Sequence, residues 1–241
     1  MTFGLSALLA VGSMFAVQQL PGQSALDPNR APPRAPNLRE IGSLLVNKRF
    51  MTVTGLAAIP AKILLTGMCF YLVPLYVLHI GSTQSVVGRI LMLYAVVMVV
   101  FAPVAAAAAV SRERMESLVG VGLLLSGLGG VLLLSGEHVG WVFAATFFVG
   151  VGQSLSIAAQ SALVREHCER EVAAMGEPSV YGVYRLLERL GNAAGPLIAG
   201  GLVMTLGYRN SFVVIGAGVF VCGTAFLLLT RRANQPALAP A

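Results

Sequence analysis

The chain has 241 residues, of which 56% are hydrophobic and 11% charged, and its formal net charge is +6. A soluble domain carries about 25% charged residues. A fold of this size also leaves too much of its area exposed to hide so apolar a surface from water, and the mean hydropathy of +0.80 makes lipid the solvent for most of the chain. The positive charge does not point to nucleic acid, because the basic residues fall in short clusters between apolar runs and build no continuous basic face.

About 20 mostly apolar residues span a bilayer as a helix. The first such run is Met1–Leu20. It has no positive leading segment and no small-residue cleavage site, so it reads as a genuine span and not a signal peptide. Residues 21–49 follow as a basic, proline-rich linker containing Asp27-Pro28-Asn29-Arg30 and Ala31-Pro32-Pro33-Arg34-Ala35-Pro36; this composition predicts an irregular, exposed connection. Six further spans are predicted at Phe50–Leu78, Val86–Val110, Ser117–Leu134, Trp141–Val164, Arg189–Leu206 and Ser211–Thr230, forming a bundle over 50–230 with a short tail at 231–241. The runs are too long for strands and do not alternate, which leaves helices. The fold class is therefore all-α, with seven transmembrane helices.

Orientation follows from Lys and Arg in the connections. One side collects Arg30, Arg34, Arg39, Lys48, Arg49, Arg112, Arg114, Arg165, Arg170, Arg231 and Arg232, whereas the alternate connections contribute Arg209. The linker and C-terminus are expected in the cytoplasm and the N-terminus outside a cell (inner) membrane. An uncharged leading span that begins outside has the look of a chain cut from a longer one.

Cys69, Cys168 and Cys222 are too scattered for a disulfide framework or a paired-cysteine metal site, and read as packing residues. The histidines, His79, His138 and His167, form no HExxH pair. The run from Arg165 to Glu171 reads as solvated charge in a cytoplasmic turn, because zinc needs a closed ligand geometry that it cannot supply by itself. With no nucleophile elbow and no phosphate-binding loop, no enzyme, cofactor or metal is expected.

An ionisable side chain deep in an apolar run is costly and is a functional hypothesis by default. Lys62 lies about 18 Å along its helix from Phe50, with Pro60 beside it and Pro74 beyond. Either it meets an anionic or strongly electron-rich solute, or it snorkels or pairs with a neighbour such as Glu188, the one acid expected inside a span. Arg89, close to the start of its run, is expected to snorkel to the surface. Gln153 and Gln160 stand seven apart on one helix face, with Gly152 and Ser156 on an adjoining strip. Amides in lipid need partners, so this face turns into the bundle, where it either lines the solute path or joins helices. Arg185, Glu188 and Arg189 share a face and can neutralise one another, as an ion-pair cluster or as a gate. Asn192 follows one turn deeper and can bond a solute or a neighbouring helix. The tyrosines Tyr71, Tyr76, Tyr94, Tyr181 and Tyr184 either border the path or, as is more common for membrane tyrosines, form an interfacial belt.

Gly191-Asn192-Ala193-Ala194-Gly195-Pro196 continues to Gly200-Gly201 and resembles the GxxxGP…GG helix motif of major facilitator superfamily transporters. One helix, a long basic linker and six closely connected helices also resemble the sixth helix, central loop and second half of such a transporter. The resemblance implies a six-helix bundle at 50–230 and an N-terminal six-helix partner, on the same chain, on a partner subunit or on a second copy. It further implies alternating-access transport of a small solute. The family's charged loop motif falls at Ser111-Arg112-Glu113-Arg114-Met115-Glu116, where Ser111 takes the aspartate position and the glycines are missing, so a solvated turn is expected. Gly191, Gly195 and Pro196 are expected to form a bent, closely packed wall, and Gly130 is expected to tolerate leucine better than Gly195. A transporter-like anchor or transducer module of a sensory protein is the alternative reading.

Overall fold

The computed structural model describes residues 37–234, all within the compact unit Ala35–Ala241. The leading span Met1–Leu20, most of the expected linker and the end of the tail lie outside the described residues. Every regular element described is helical: α1 (Leu38–Val46), α2 (Lys48–His79), α3 (Gln84–Ala108), α4 (Arg112–Val131), α5 (Val139–His167), α6 (Glu169–Met175), α7 (177–206) and α8 (208–234). A single 3-10 turn, Leu132–Ser135, extends α4.

Helices α2, α3, α4 (with its 3-10 turn) and α5 are long and apolar enough to cross a membrane, and so is the continuous stretch Glu177–Arg232. That stretch breaks at Gly207, whose φ of 76° lies in the left-handed region that favours glycine. The chain reverses there. On α7, Gly191 meets Ile59, Gly195 meets Gly67, and Gly200 meets Tyr71, so α7 runs parallel to α2. On α8, Gly216 meets Gly130 and Gly223 meets Leu123, so α8 runs antiparallel to α4. The described residues thus form six long helical runs, and each predicted span from Phe50 onward falls on one of them. The result is an all-α, multi-pass membrane protein.

Two boundaries moved. Residues 38–46 are helical and bury Leu44, so the end of the linker is not the irregular connection its composition suggested. The helix expected to begin at Arg189 starts at Glu177, because backbone hydrogen bonds continue through charged residues that a hydropathy criterion excludes. Ser111, at the loop motif's aspartate position, caps α4 by accepting from the Arg114 amide. Asn47 caps α2 in the same way: its Oδ1 accepts from Arg49 N at 2.9 Å, while its Nδ2 donates to Glu171 Oε1 at 2.6 Å and so ties α2 to α6.

Helix α2 is irregular for a local reason. Two π-helical stretches, Thr54–Ala58 and Leu64–Leu72, each end two residues before a proline, Pro60 and Pro74. Proline cannot donate to the carbonyl one turn back, and its ring pushes that carbonyl aside, so the preceding turn widens. Lys62 stands on the short α-helical turn Ile59–Ile63 between the two widened stretches.

The core forms where small residues let backbones meet. A Cβ on Gly127 would lie 2.7 Å from Gly216 O, and one on Gly130 would lie 2.7 Å from Phe212 O. Gly122 and Gly152 face each other across α4 and α5 even more closely. Apolar side chains gain little by leaving lipid for one another, so such close approaches carry much of the packing. The expectation that Gly130 is the more tolerant glycine is corrected here: its wall is backbone on α8, and it is as confined as Gly195.

Candidate functional site

The motif Gly191-xxx-Gly195 is the surface on which α7 meets α2. A Cβ on Gly191 would lie 3.0 Å from Ile59 O and 3.2 Å from Lys62 Cβ, and one on Gly195 would lie 2.8 Å from Gly67 N. Thr66 Oγ1 reaches both Lys62 O (2.9 Å) and Asn192 O (3.0 Å), sharing its one proton between the two helices. Glu188 precedes Gly191 on the same face of α7. The close crossing therefore carries its carboxylate to Lys62, with Nζ 3.4 Å from Oε1 and the side chains 12% and 5% exposed.

From Glu188 the polar contacts continue. Arg185 NH1 donates to Glu188 Oε2 at 2.6 Å, and its guanidinium, 59% exposed, lies 5.7 Å from the centre of the Tyr184 ring. The Tyr184 hydroxyl is buried between Gln160 Oε1 at 3.3 Å and Glu188 Oε1 at 3.4 Å. Gln160 Nε2 in turn donates to Ser156 Oγ. A line of polar groups thus runs Ser156–Gln160–Tyr184–Glu188–Lys62 across α5, α7 and α2, through surroundings that are otherwise apolar.

The sequence-predicted residues separate accordingly. Lys62, Glu188, Arg185 and Gln160 join this network. Gln153 is fully buried nearby, with Nε2 donating to Ala61 O at 3.1 Å and Oε1 without a hydrogen-bond partner among the described residues. Asn192 contributes its backbone carbonyl to the α2–α7 seam. Arg189 is exposed and stays outside the network. Tyr184, assigned from sequence to an interfacial belt, is central to it; its spacing of four from Glu188 was the available signal.

A second buried cluster went unread. Glu116, on α4, is 4% exposed and therefore joins Glu188 as a buried acid in a spanning helix. Its Oε1 accepts from Arg112 Nε at 3.0 Å and lies 3.2 Å from His167 Nε2 at the end of α5. His167 Nδ1 is buried without a hydrogen-bond partner among the described residues. The run Arg165–Glu171 is therefore not uniformly solvated, since His167 and Cys168 point inward. Burial pushes the Cys168 thiol up to about 12, so it remains protonated and serves packing. Among the described residues no group of three or more His, Cys, Asp or Glu side chains is placed to hold a metal ion.

Comparison with known proteins places the chain. The family model described as Major Facilitator Superfamily matches residues 1–177 and also residues 121–241. No curated protein and no solved structure matches. With both family matches together extending over the whole chain, and with an all-helical bundle closed by the glycine–proline helix α7, the chain belongs to the major facilitator superfamily, whose members are membrane transporters.

Proposed function

We propose that this chain supplies one six-helix half of a secondary transporter that moves a small anionic solute by alternating access, and that its α2–α7 seam borders the solute path. The observation that carries this reading is the buried Lys62–Glu188 pair, placed between the two widened stretches of α2 and held against α7 by glycines. Two cations, Lys62 and Arg185, share one carboxylate. The site therefore carries an excess positive charge, which an anionic solute would balance. A solute carboxylate that displaces Glu188 from Lys62 would release α7 from α2 at the point where α2 is least regular. Lys62, Gln160, Gln153 and Asn192 are the pathway candidates, and Arg185, Glu188 and Arg189 the gate candidates.

Transport sites of this class lie between two pseudo-symmetric bundles. The second bundle is expected upstream on the natural chain, on a partner subunit or on a second copy. Saturable uptake into liposomes should accordingly appear with two-bundle assemblies and be missing from a purified monomer; saturable uptake by the monomer contradicts this part of the reading.

The path itself is testable by labelling. Asn192→Cys should react with a membrane-impermeant thiol reagent, and a transported anion should slow that reaction. Val99→Cys, on an exposed apolar stretch of α3, should stay unreactive in lipid. Equal reactivity at the two positions would remove the support for a water-filled path.

The excess of Lys and Arg in alternate connections supports a cytoplasmic C-terminus and an outside N-terminus in a cell-membrane protein. Gln235→Cys should label in permeabilised cells and remain protected in intact ones; labelling of intact cells at this position would reverse the orientation.

A further inference from the structure

At the end of the bundle opposite the basic connections, the ends of α2 and α7, the start of α8 and the turn between α4 and α5 line an open cavity of about 800 Å³. Its lining includes Tyr76, His79, Glu137, Tyr208 and Arg209, none of which belongs to the Lys62–Glu188 network. We propose that this cavity is a separate binding site for a zwitterionic, amino-acid-like solute.

The cavity wall carries two full charges. Glu137 and Arg209 line the same space, yet neither forms an ion pair among the described residues. Arg209 is prevented from swinging toward Glu137 because its Nε donates to Leu133 O at 3.2 Å and its NH2 donates to Leu134 O. Those carbonyls belong to the 3-10 turn at the end of α4, so backbone fixes the guanidinium and leaves its remaining N–H groups free. An anchored cation and an exposed carboxylate that line one cavity without pairing fit a ligand that carries both an anionic group and an ammonium.

Two further features point to an occupant. Tyr76 is 4% exposed, and its hydroxyl has no hydrogen-bond partner among the described residues although the residue lines the cavity. A buried hydroxyl without a partner is costly, and a small turn of the ring toward the cavity would bring it to a ligand acceptor. The same wall is aromatic: His79 lies 4.8 Å from Tyr208 ring to ring, and Tyr76 lies 6.1 Å from Tyr208. These rings offer faces to an apolar or aromatic side chain and to an ammonium group.

The proposal stands apart from the transport reading, since it requires binding at this cavity and no movement of solute. Trp141, the one tryptophan of the chain, reports on it directly: its Nε1 lies 3.0 Å from where a Cβ on Gly136 would stand, next to Glu137. The experiment titrates the purified full chain in nanodiscs with L-phenylalanine, 3-phenylpropionate and 2-phenylethylamine, following indole fluorescence and binding of the radiolabelled compounds by equilibrium dialysis. Saturable binding of L-phenylalanine is expected, with each one-charge analogue at least about tenfold weaker. Glu137→Gln, a change at an exposed position that should fold normally, should weaken L-phenylalanine about tenfold and leave 3-phenylpropionate unchanged. Tyr76→Phe should weaken all ligands that carry the acceptor. No saturable binding of L-phenylalanine by either readout overturns the proposal. So does equal binding of a one-charge analogue, or wild-type affinity in Glu137→Gln.

Discussion

Removing Glu188 should destabilise the protein far more than removing Lys62. The two residues form one ion pair, but their other partners are unequal. With Lys62→Gln, Glu188 keeps Arg185 at 2.6 Å and the Tyr184 hydroxyl at 3.4 Å, so its charge stays compensated and the expected loss is about 1 kcal/mol. With Glu188→Ala, the Lys62 side chain, 12% exposed, stays buried and loses the one carboxylate that reaches it among the described residues. Stranding a buried charge in this way costs about 3–5 kcal/mol. Arg185 is mostly exposed and can turn to water, so it adds little to that loss. The double variant Lys62→Met/Glu188→Met should recover most of the lost stability, because both buried charges leave together. Thermal unfolding in nanodiscs would show the order wild type, Lys62→Gln, Glu188→Ala; equal losses for the two single variants would mean that Arg185 does not hold Glu188 as described.

Gly195→Leu should open the α2–α7 seam altogether. Its Cβ would meet Gly67 N at 2.8 Å and Ile63 O at 2.9 Å, besides the Thr66 hydroxyl. Two of these neighbours are backbone and cannot turn away, so the helices must separate. Overpacking of a side-chain core costs about 1–3 kcal/mol, and a clash with backbone should reach or exceed the top of that range. Separation would also pull Glu188 from Lys62 and break the Thr66 bridge to Asn192, so activity should vanish with the packing. Gly201→Leu is the matched control, because a Cβ there meets nothing within 4 Å. Gly130→Leu is not a control, and should be as damaging as Gly195→Leu through its contact with Phe212 O. A stable, active Gly195→Leu protein would show that the seam is not packed through this face.

How much of this could be read in advance depended on the range of the interaction. The long apolar helices from Lys48 onward were legible because a candidate span is a local property of some 20 residues. The depth of Lys62 and the packing role of Gly191 and Gly195 were legible for the same reason, from spacing along one helix. Gly130 was misjudged because its confinement depends on which face of α8 crosses α4, and no local pattern states that. The Glu116–His167 contact joins the start of one helix to the end of the next, fifty-one positions apart. Each residue alone looks like a charge at a helix end. Tyr184 shows the limit most clearly: a tyrosine near a helix start suits a membrane interface, and only the packing of α5 against α7 turns its hydroxyl inward to Gln160.

The account stands or falls on transport by Lys62→Gln. This variant is expected to express and fold close to wild type, so it separates a role in solute binding from a role in the fold. The measurement is uptake of an anionic solute into liposomes by the two-bundle assembly, over a range of solute concentrations. A positive charge that meets the solute contributes about 1.5–3 kcal/mol as a charge-assisted hydrogen bond. The account therefore predicts an apparent KM raised by about tenfold or more, or no measurable transport. Normal uptake of the anion by a well-folded Lys62→Gln protein would contradict it.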